Sequence, residues 1–268
     1  MSILLNIDSS TLGQSTFSDN IRVTFGQALE IPGEWECALL QAKLWYSWYN
    51  ISAEKANNIL RYSNDGGGTW ETVTIPDGQY EIYQINDYFH SVMKENGDSF
   101  INGFGQEDYN ISIEPNFSTL RVQVNIIAGS NFQLDLTQSL IYLLLGFTST
   151  VVTTSQSGAN LANINDDINS LSIETDIVAG AYTNAYTSGI LYTFVPETAP
   201  GTNIYINIMS PIYIPISSQR LQSINMIIKD NLGRRINLNG QPTTYLLHIR
   251  KMRDNNRTNE LLEKLLAK

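Results

Sequence analysis

The chain has 268 residues, of which 42% are apolar and 16% charged, so it can bury a core. Its polar complement is mostly Asn, Ser, Thr and Gln, a balance that suits one large all-β domain or two smaller ones rather than a charge-laced helical fold. A net charge of −10 excludes general coating of nucleic acid, which needs a basic face. One cysteine, Cys37, excludes an intrachain disulfide. No apolar run approaches the roughly 18 residues of a membrane span. The opening "MSILLNIDSS" is too short and too polar for a signal peptide, so a soluble protein of a reducing compartment is expected. The sequons at Asn50, Asn110, Asn116 and Asn256 then read as chance matches. The charge is segregated. From Arg250 onward there are six Lys/Arg against three Asp/Glu, which leaves −13 in the body of the chain.

Period-two alternation dominates the chain. "IRVTFGQALEI" and "WECALLQAKLWYSWYN" read as two long strands joined at Pro32-Gly33. "NILRYS" and "TWETVTI" flank "NDGGG", a hairpin signal in which glycines supply positive φ. Residues 83–95 carry Ile85, Tyr88, Phe89, Val92 and Met93 at helical spacing. "YNISIEP" aligns Tyr109, Ile111 and Ile113, and "TLRVQVNIIA" aligns Leu120, Val122, Val124 and Ile126. Residues 137–145 predict a second helix, capped by Thr137, striped by Leu140, Ile141, Leu144 and Leu145, and stopped by Gly146. Residues 148–188 are polar and free of Lys and Arg, and predict a long surface excursion with short strands of its own. "NIYINIM" puts Ile204, Ile206 and Ile208 on one face. The arms 224–229 and 234–238 predict a hairpin turned at Gly233, after which Gly240 and Pro242 lead into a last strand over 243–250. Residues 259–267 predict a short terminal helix. Many short strands with Gly/Pro turns imply a sandwich or barrel, with Val23, Phe25, Leu39, Val122, Val124, Ile206, Leu247 and Ile249 as expected core.

Catalytic vocabulary is sparse. His90 and His248 have no partner at metal-ligand spacing, and both read as structural. Cys37, in "EWECALL", reads as a small buried hydrophobe. "DGGGTW" lacks the Lys-Ser/Thr of a phosphate loop, and Asp166-Asp167 lacks a cation-loop pattern. No enzyme activity, metal or cofactor is expected. The aromatic run Trp45, Tyr46, Trp48, Tyr49 cannot place all four rings on one strand face. Trp45, Trp48 and Tyr49 are therefore candidate interface residues, with packing under a loop as the plain alternative. In the tail, Leu261, Leu262, Leu265 and Leu266 form an apolar stripe, a second candidate interface.

"GEWECALLQAKLWYSWYNIS", "PDGQYEIYQINDYF", "LTQSLIYLLLGF" and "LQSINMIIKDNLGRRINLNGQPTTYLLHIRK" occur in an order that resembles the penton (minor capsid) proteins of virophages and related polinton-like elements. The shared features are a strand ending in W-Y-N, a D-G-x-Y helix entry, an L-G-F after a second helix, and a closing D-x-x-G-R-x-I-x-L-x-G-x-P-T-T hairpin. They cover about half the chain and leave 148–188 unmatched. The resemblance implies a single antiparallel jelly-roll over 1–268, with an outward insertion within 148–188 or near 57–75 and a basic tail at 253–268. It implies homopentamers at the fivefold vertices of an icosahedral virion, beside trimers of a double jelly-roll major capsid protein. The chain would be made in the host cytoplasm, with a host receptor and, through the tail, the packaged genome as further partners. A jelly-roll carbohydrate-binding, lectin-like module is the alternative.

Overall fold

The computed structural model describes residues 1–11, 20–165, 168–183 and 186–252. These form two compact units: residues 1–47 with the chain from 168 onward, and residues 48–167. The chain starts in the first unit with β1 (Ser2–Asp8), β2 (Asn20–Glu30) and β3 (Trp35–Trp45). Pro32 and Gly33 turn β2 into β3. Gly33 sits at φ +89°, and the Trp35 indole N–H donates to the Pro32 carbonyl at 3.0 Å.

The second unit holds β4 (Ile59–Ser63), β5 (Glu71–Thr74), α1 (Ile82–Glu95), β6 (Ser99–Ile101), β7 (Glu107–Tyr109), β8 (Ile111–Asn116), β9 (Arg121–Ile126), β10 (Gln133–Asp135), α2 (Ile141–Leu144), β11 (Val151–Val152) and β12 (Gln156–Ser157). Its sheets run β11-β10-β4-β5 and β12-β9-β8, with β6-β7 as a separate hairpin. α1 opens with the Glu81 carboxylate accepting from the Gln84 N–H, while the Gln84 side chain accepts the Glu81 N–H at 2.8 Å. Its Ile85, Phe89 and Met93 enter a core with Leu60, Tyr62, Val73, Val122, Val124 and Leu134. Buried amides explain part of the Asn-rich composition. The side chain of Asn50 accepts from the Tyr80 N–H and donates to the carbonyls of Tyr80 and Ile164, and that of Asn57 bonds Ser52 N–H and Asn50 C=O.

The chain re-enters the first unit with β13 (Leu171–Thr175), β14 (Ala181–Thr183), β15 (Tyr186–Ser188), β16 (Ile190–Phe194), β17 (Asn203–Asn207), β18 (Ile214–Pro215), β19 (Arg220–Asp230) and β20 (Thr244–Lys251). One sheet is ordered β1-β20-β3-β17, with β18 also on β3, and the other β16-β13-β19-β2, every pairing antiparallel. Leaving aside β18 and the β14-β15 hairpin, the eight strands in chain order alternate between the sheets except at the paired neighbours β13 and β16, the arrangement of a jelly-roll. Residues 48–167 lie in the connection between its third and fourth strands. Ile7, Cys37, Leu39, Leu44, Ile173, Ile206, Ile224, Met226, Ile228, Leu247 and Ile249 are buried.

Several expectations are corrected. Residues 48–167, which include 57–75 and the first part of 148–188, form a compact unit of their own. Of 148–188, β11 and β12 belong to the second unit, whereas β13 pairs with β19 in the jelly-roll. Val122 and Val124 are buried, but in the second unit. Val23 and Phe25 are only half-buried because β2 is an edge strand. The helix expected over 137–145 is cut to Ile141–Leu144. Thr137 is bound to Asp135 instead of capping, and the Leu140 N–H donates to the Ala56 carbonyl. The 224–229 and 234–238 arms meet only at the Lys229/Arg235 bridge and the Ile236 N–H to Ile228 C=O bond. The predicted helix at 259–267 lies outside the described residues.

Candidate interaction surface

The residues with chemical potential are held by the fold. Cys37 is fully buried, and desolvation pushes its thiol up to about 12. His90, on α1, places Nε2 2.8 Å from the Ile111 carbonyl and stacks on Tyr109 with ring centroids 3.9 Å apart. Burial lowers its pKa, against the opposing effects of that carbonyl and of Asp87, Asp108 and Glu114. His248 Nδ1 lies 2.7 Å from the Tyr213 hydroxyl. In the "NDGGG" loop, Asp65 accepts from the Thr69 N–H and hydroxyl and the Ser63 hydroxyl, which holds its carboxyl well below the usual range. Among the described residues no group of three or more His, Cys, Asp or Glu could hold a metal. Asp166-Asp167 lies outside them. No helix of the described residues is long and apolar enough to cross a membrane.

The two outer faces of the jelly-roll differ. On the sheet of β13 and β19, Lys229 Nζ lies 2.6 Å from Glu174 Oε2, Arg220 pairs with Glu30 at 3.1 Å, and an Arg22 Nη donates to the Ser223 hydroxyl. On the β1-β20-β3-β17 sheet, Arg250 Nε donates to Glu36 Oε1 at 2.6 Å, and its guanidinium lies 3.3 Å from the centre of the Tyr213 ring. The rest of that face includes exposed Leu4 and Tyr205 and half-buried Trp45 and Leu246, and the connection after β17 exposes Met209 and Ile212.

Trp45 closes β3 opposite Asn203, on the outer face beside Lys43. Trp48 is buried at 5% exposure and offers no surface to another chain, so its place among the interface candidates is corrected to packing. Tyr49 is half-buried, and its carbonyl accepts from Lys55 Nζ. Leu261, Leu262, Leu265 and Leu266 lie outside the described residues. Sequence reasoning missed Leu4 and Tyr205, each apolar or aromatic between polar neighbours on one strand face. It also missed Phe104 and Phe117 in the second unit, 92% and 82% exposed at the tips of the β6-β7 and β8-β9 hairpins. Asn102 Oδ1 accepts the Phe104 and Gln106 N–H groups, and Asn116 Oδ1 accepts those of Ser118 and Thr119, so each tip is fixed by an Asn side chain.

No protein-family model and no curated protein matches the chain. Among solved structures, it is similar to the mavirus penton protein at 10% identity and a TM-score of 0.48, over 93% of this chain and 99% of that one. The D2-D3 domains of the flagellar cap protein FliD from Escherichia coli align at 12% identity with a TM-score of 0.15, over 93% and 100% of the two chains. Both TM-scores lie below 0.5.

Proposed function

We propose that the chain is a structural capsid protein that assembles as a homopentamer at the fivefold vertices of an icosahedral virion, beside trimers of a double jelly-roll major capsid protein. The observation that carries this reading is the jelly-roll itself, with strand order β1-β20-β3-β17 over β16-β13-β19-β2 and nearly uncharged strands at the rims of the first sheet. A fold alone does not assign a function. The ordered penton-like motifs add to it: Asp230-Asn231-Leu232-Gly233-Arg234 makes the turn after β19 in the jelly-roll, and Leu145-Gly146-Phe147 follows α2 in the second unit. Burying neutral strand rims between subunits avoids the desolvation of charge.

In this reading the unit of residues 48–167 is the outward insertion, and its Phe104 and Phe117 tips are contact residues for a host receptor. The 253–268 tail, with Leu261, Leu262, Leu265 and Leu266 and its basic residues, is an inward arm toward the major capsid protein or the genome. The protein is made in the host cytoplasm and ends in the virion. The test is co-expression with a double jelly-roll major capsid protein, followed by particle reconstruction and mass photometry of the free chain. Density at fivefold positions, and a species near 150 kDa, five times 30.0 kDa, are expected. Density elsewhere refutes the reading, and a monomer retained on a glycan column points to the lectin-like alternative.

A further inference from the structure

The two rims of the β1-β20-β3-β17 sheet match each other. The Lys251 N–H donates to the Met1 carbonyl and the Ser9 N–H to the Thr243 carbonyl, so the odd-numbered residues of β1 bond β20. The backbone N–H and C=O of Ser2, Leu4 and Asn6 therefore point away from the sheet. At the opposite rim the Tyr46 N–H donates to the Thr202 carbonyl and the Ile208 N–H to the Leu40 carbonyl, so the even-numbered residues of β17 bond β3. Asn203, Tyr205 and Asn207 present their backbone groups outward. Among the described residues β1 pairs only with β20, and β17 only with β3.

The side chains repeat this match. On the outer face Ser2, Leu4 and Asn6 read polar, apolar, polar, and Asn207, Tyr205 and Asn203 read polar, aromatic, polar, with Leu4 and Tyr205 65% and 63% exposed. On the inner face Ile3 and Leu5 are half-buried, and Ile206 and Ile204 are buried. β17 has no charged residue, and β1 has one, Asp8, at its end. Neither rim carries the Lys, Pro or bulge that usually blunts an edge. The rim strand β2 of the other sheet has Arg22 and Glu30 and a register shift where it meets β19.

We infer that β1 of one copy adds to β17 of the next, with Leu4 opposite Tyr205, Ser2 opposite Asn207 and Asn6 opposite Asn203. This deepens the pentamer reading and rests on it. Within the sheet β1 and β17 run antiparallel, since three antiparallel steps separate them. A copy rotated about an axis along the strands therefore meets its neighbour antiparallel. Each of the three facing pairs can exchange two N–H···O bonds, and Ile3 and Leu5 meet Ile206 and Ile204. Such a head-to-tail contact closes into a ring when the rotation allows it.

The test uses the full chain. A directly bonded antiparallel pair has Cα atoms about 5.5 Å apart, within disulfide range. Leu4→Cys chains mixed with Tyr205→Cys chains, then oxidised, should give covalent dimers of one with the other, and the double variant a ladder up to five. The native Cys37 is buried and stays out of the reaction. Leu4→Pro removes an outward donor and no in-chain bond, so it should lower the pentamer fraction about tenfold or more, a loss of at least about 1.4 kcal/mol, with an unchanged circular-dichroism spectrum. If Leu4→Pro unfolds the chain, the cysteine pair decides alone. Rings of five without the cross-link overturn the strand pairing and leave the pentamer reading standing. Leu4→Cys chains that cross-link only to themselves overturn it in favour of a two-fold contact. Absence of any ring, even beside a major capsid protein, removes both.

Discussion

Asp230 and Arg234 close the turn at the end of β19. Arg234 Nε donates to Asp230 Oδ2 at 2.6 Å, while Oδ1 accepts the N–H groups of Leu232 and Arg234. The Asp230 side chain is 1% exposed, whereas the Arg234 side chain is 48% exposed. The carboxylate's main work is therefore to satisfy the turn's N–H groups, and the ion pair adds little in solvent. Asp230→Ala should cost roughly 1–3 kcal/mol. The measurement is a urea titration, in which the midpoint falls while the slope holds. Arg234→Lys should cost less.

Gly146, after α2, is at φ +73°. A Cβ there would lie 2.5 Å from the Asn160 carbonyl oxygen and 2.7 Å from that of Leu161, and backbone cannot swing aside as a flexible side chain can. Gly146→Ala should destabilise the chain by more than about 1 kcal/mol, read as a lower thermal midpoint. Gly129→Ala is the control, with φ +81° and open space around its Cβ. It should cost less.

Much of the fold is legible in the residues. Alternation locates β2, β3, β9, β17 and β20, and the spacing of Ile85, Phe89 and Met93 locates α1. The division into two units is not legible, because residues 48–167 build strands from the same alternating, Asn-rich vocabulary as the rest. The first passage between the units, Trp45-Tyr46-Ser47-Trp48-Tyr49, carries no Gly, Pro or charge to mark a boundary. The aromatic run was noticeable, but alternation could not say that Trp48 is buried while Trp45 lies on an outer face. Leu4 and Tyr205 could be read only once the register showed which backbone groups of β1 and β17 turn outward.

His90 makes the chain sensitive to mild acid. Burial lowers its folded pKa below the ordinary 6.5, so the unfolded chain binds more protons as pH falls from that value. Stability is full above about pH 6.5 and is lost as pH drops from there through the folded pKa. Asp8, Asp65 and Glu107, whose pKa values are held down by hydrogen bonds, stabilise the fold above their ordinary values of 3.8, 3.8 and 4.5 and add their losses only below those. Thermal midpoints measured across pH should begin to fall as pH drops below 6.5, and His90→Gln should remove that onset alone. An unchanged onset in the variant would refute the assignment.

Cys37 should resist modification. Its side chain is fully buried in β3 and its thiol stays protonated at neutral pH. A maleimide reagent at pH 8 should label the native chain at the rate of global unfolding, and label it at once in denaturant. Fast labelling without denaturant would mean that β3 opens locally.

β20 lies between β1 and β3, yet it is made after every other strand described. A growing chain thus carries β1 and β3 through nearly the whole of translation without the strand that joins them. Residues 48–167 are contiguous and have their own core, so they can fold while the ribosome is still producing the remainder. The jelly-roll must wait for residues 244–251, and until they emerge its most apolar strands remain open to wrong partners, among them nascent copies on the same message.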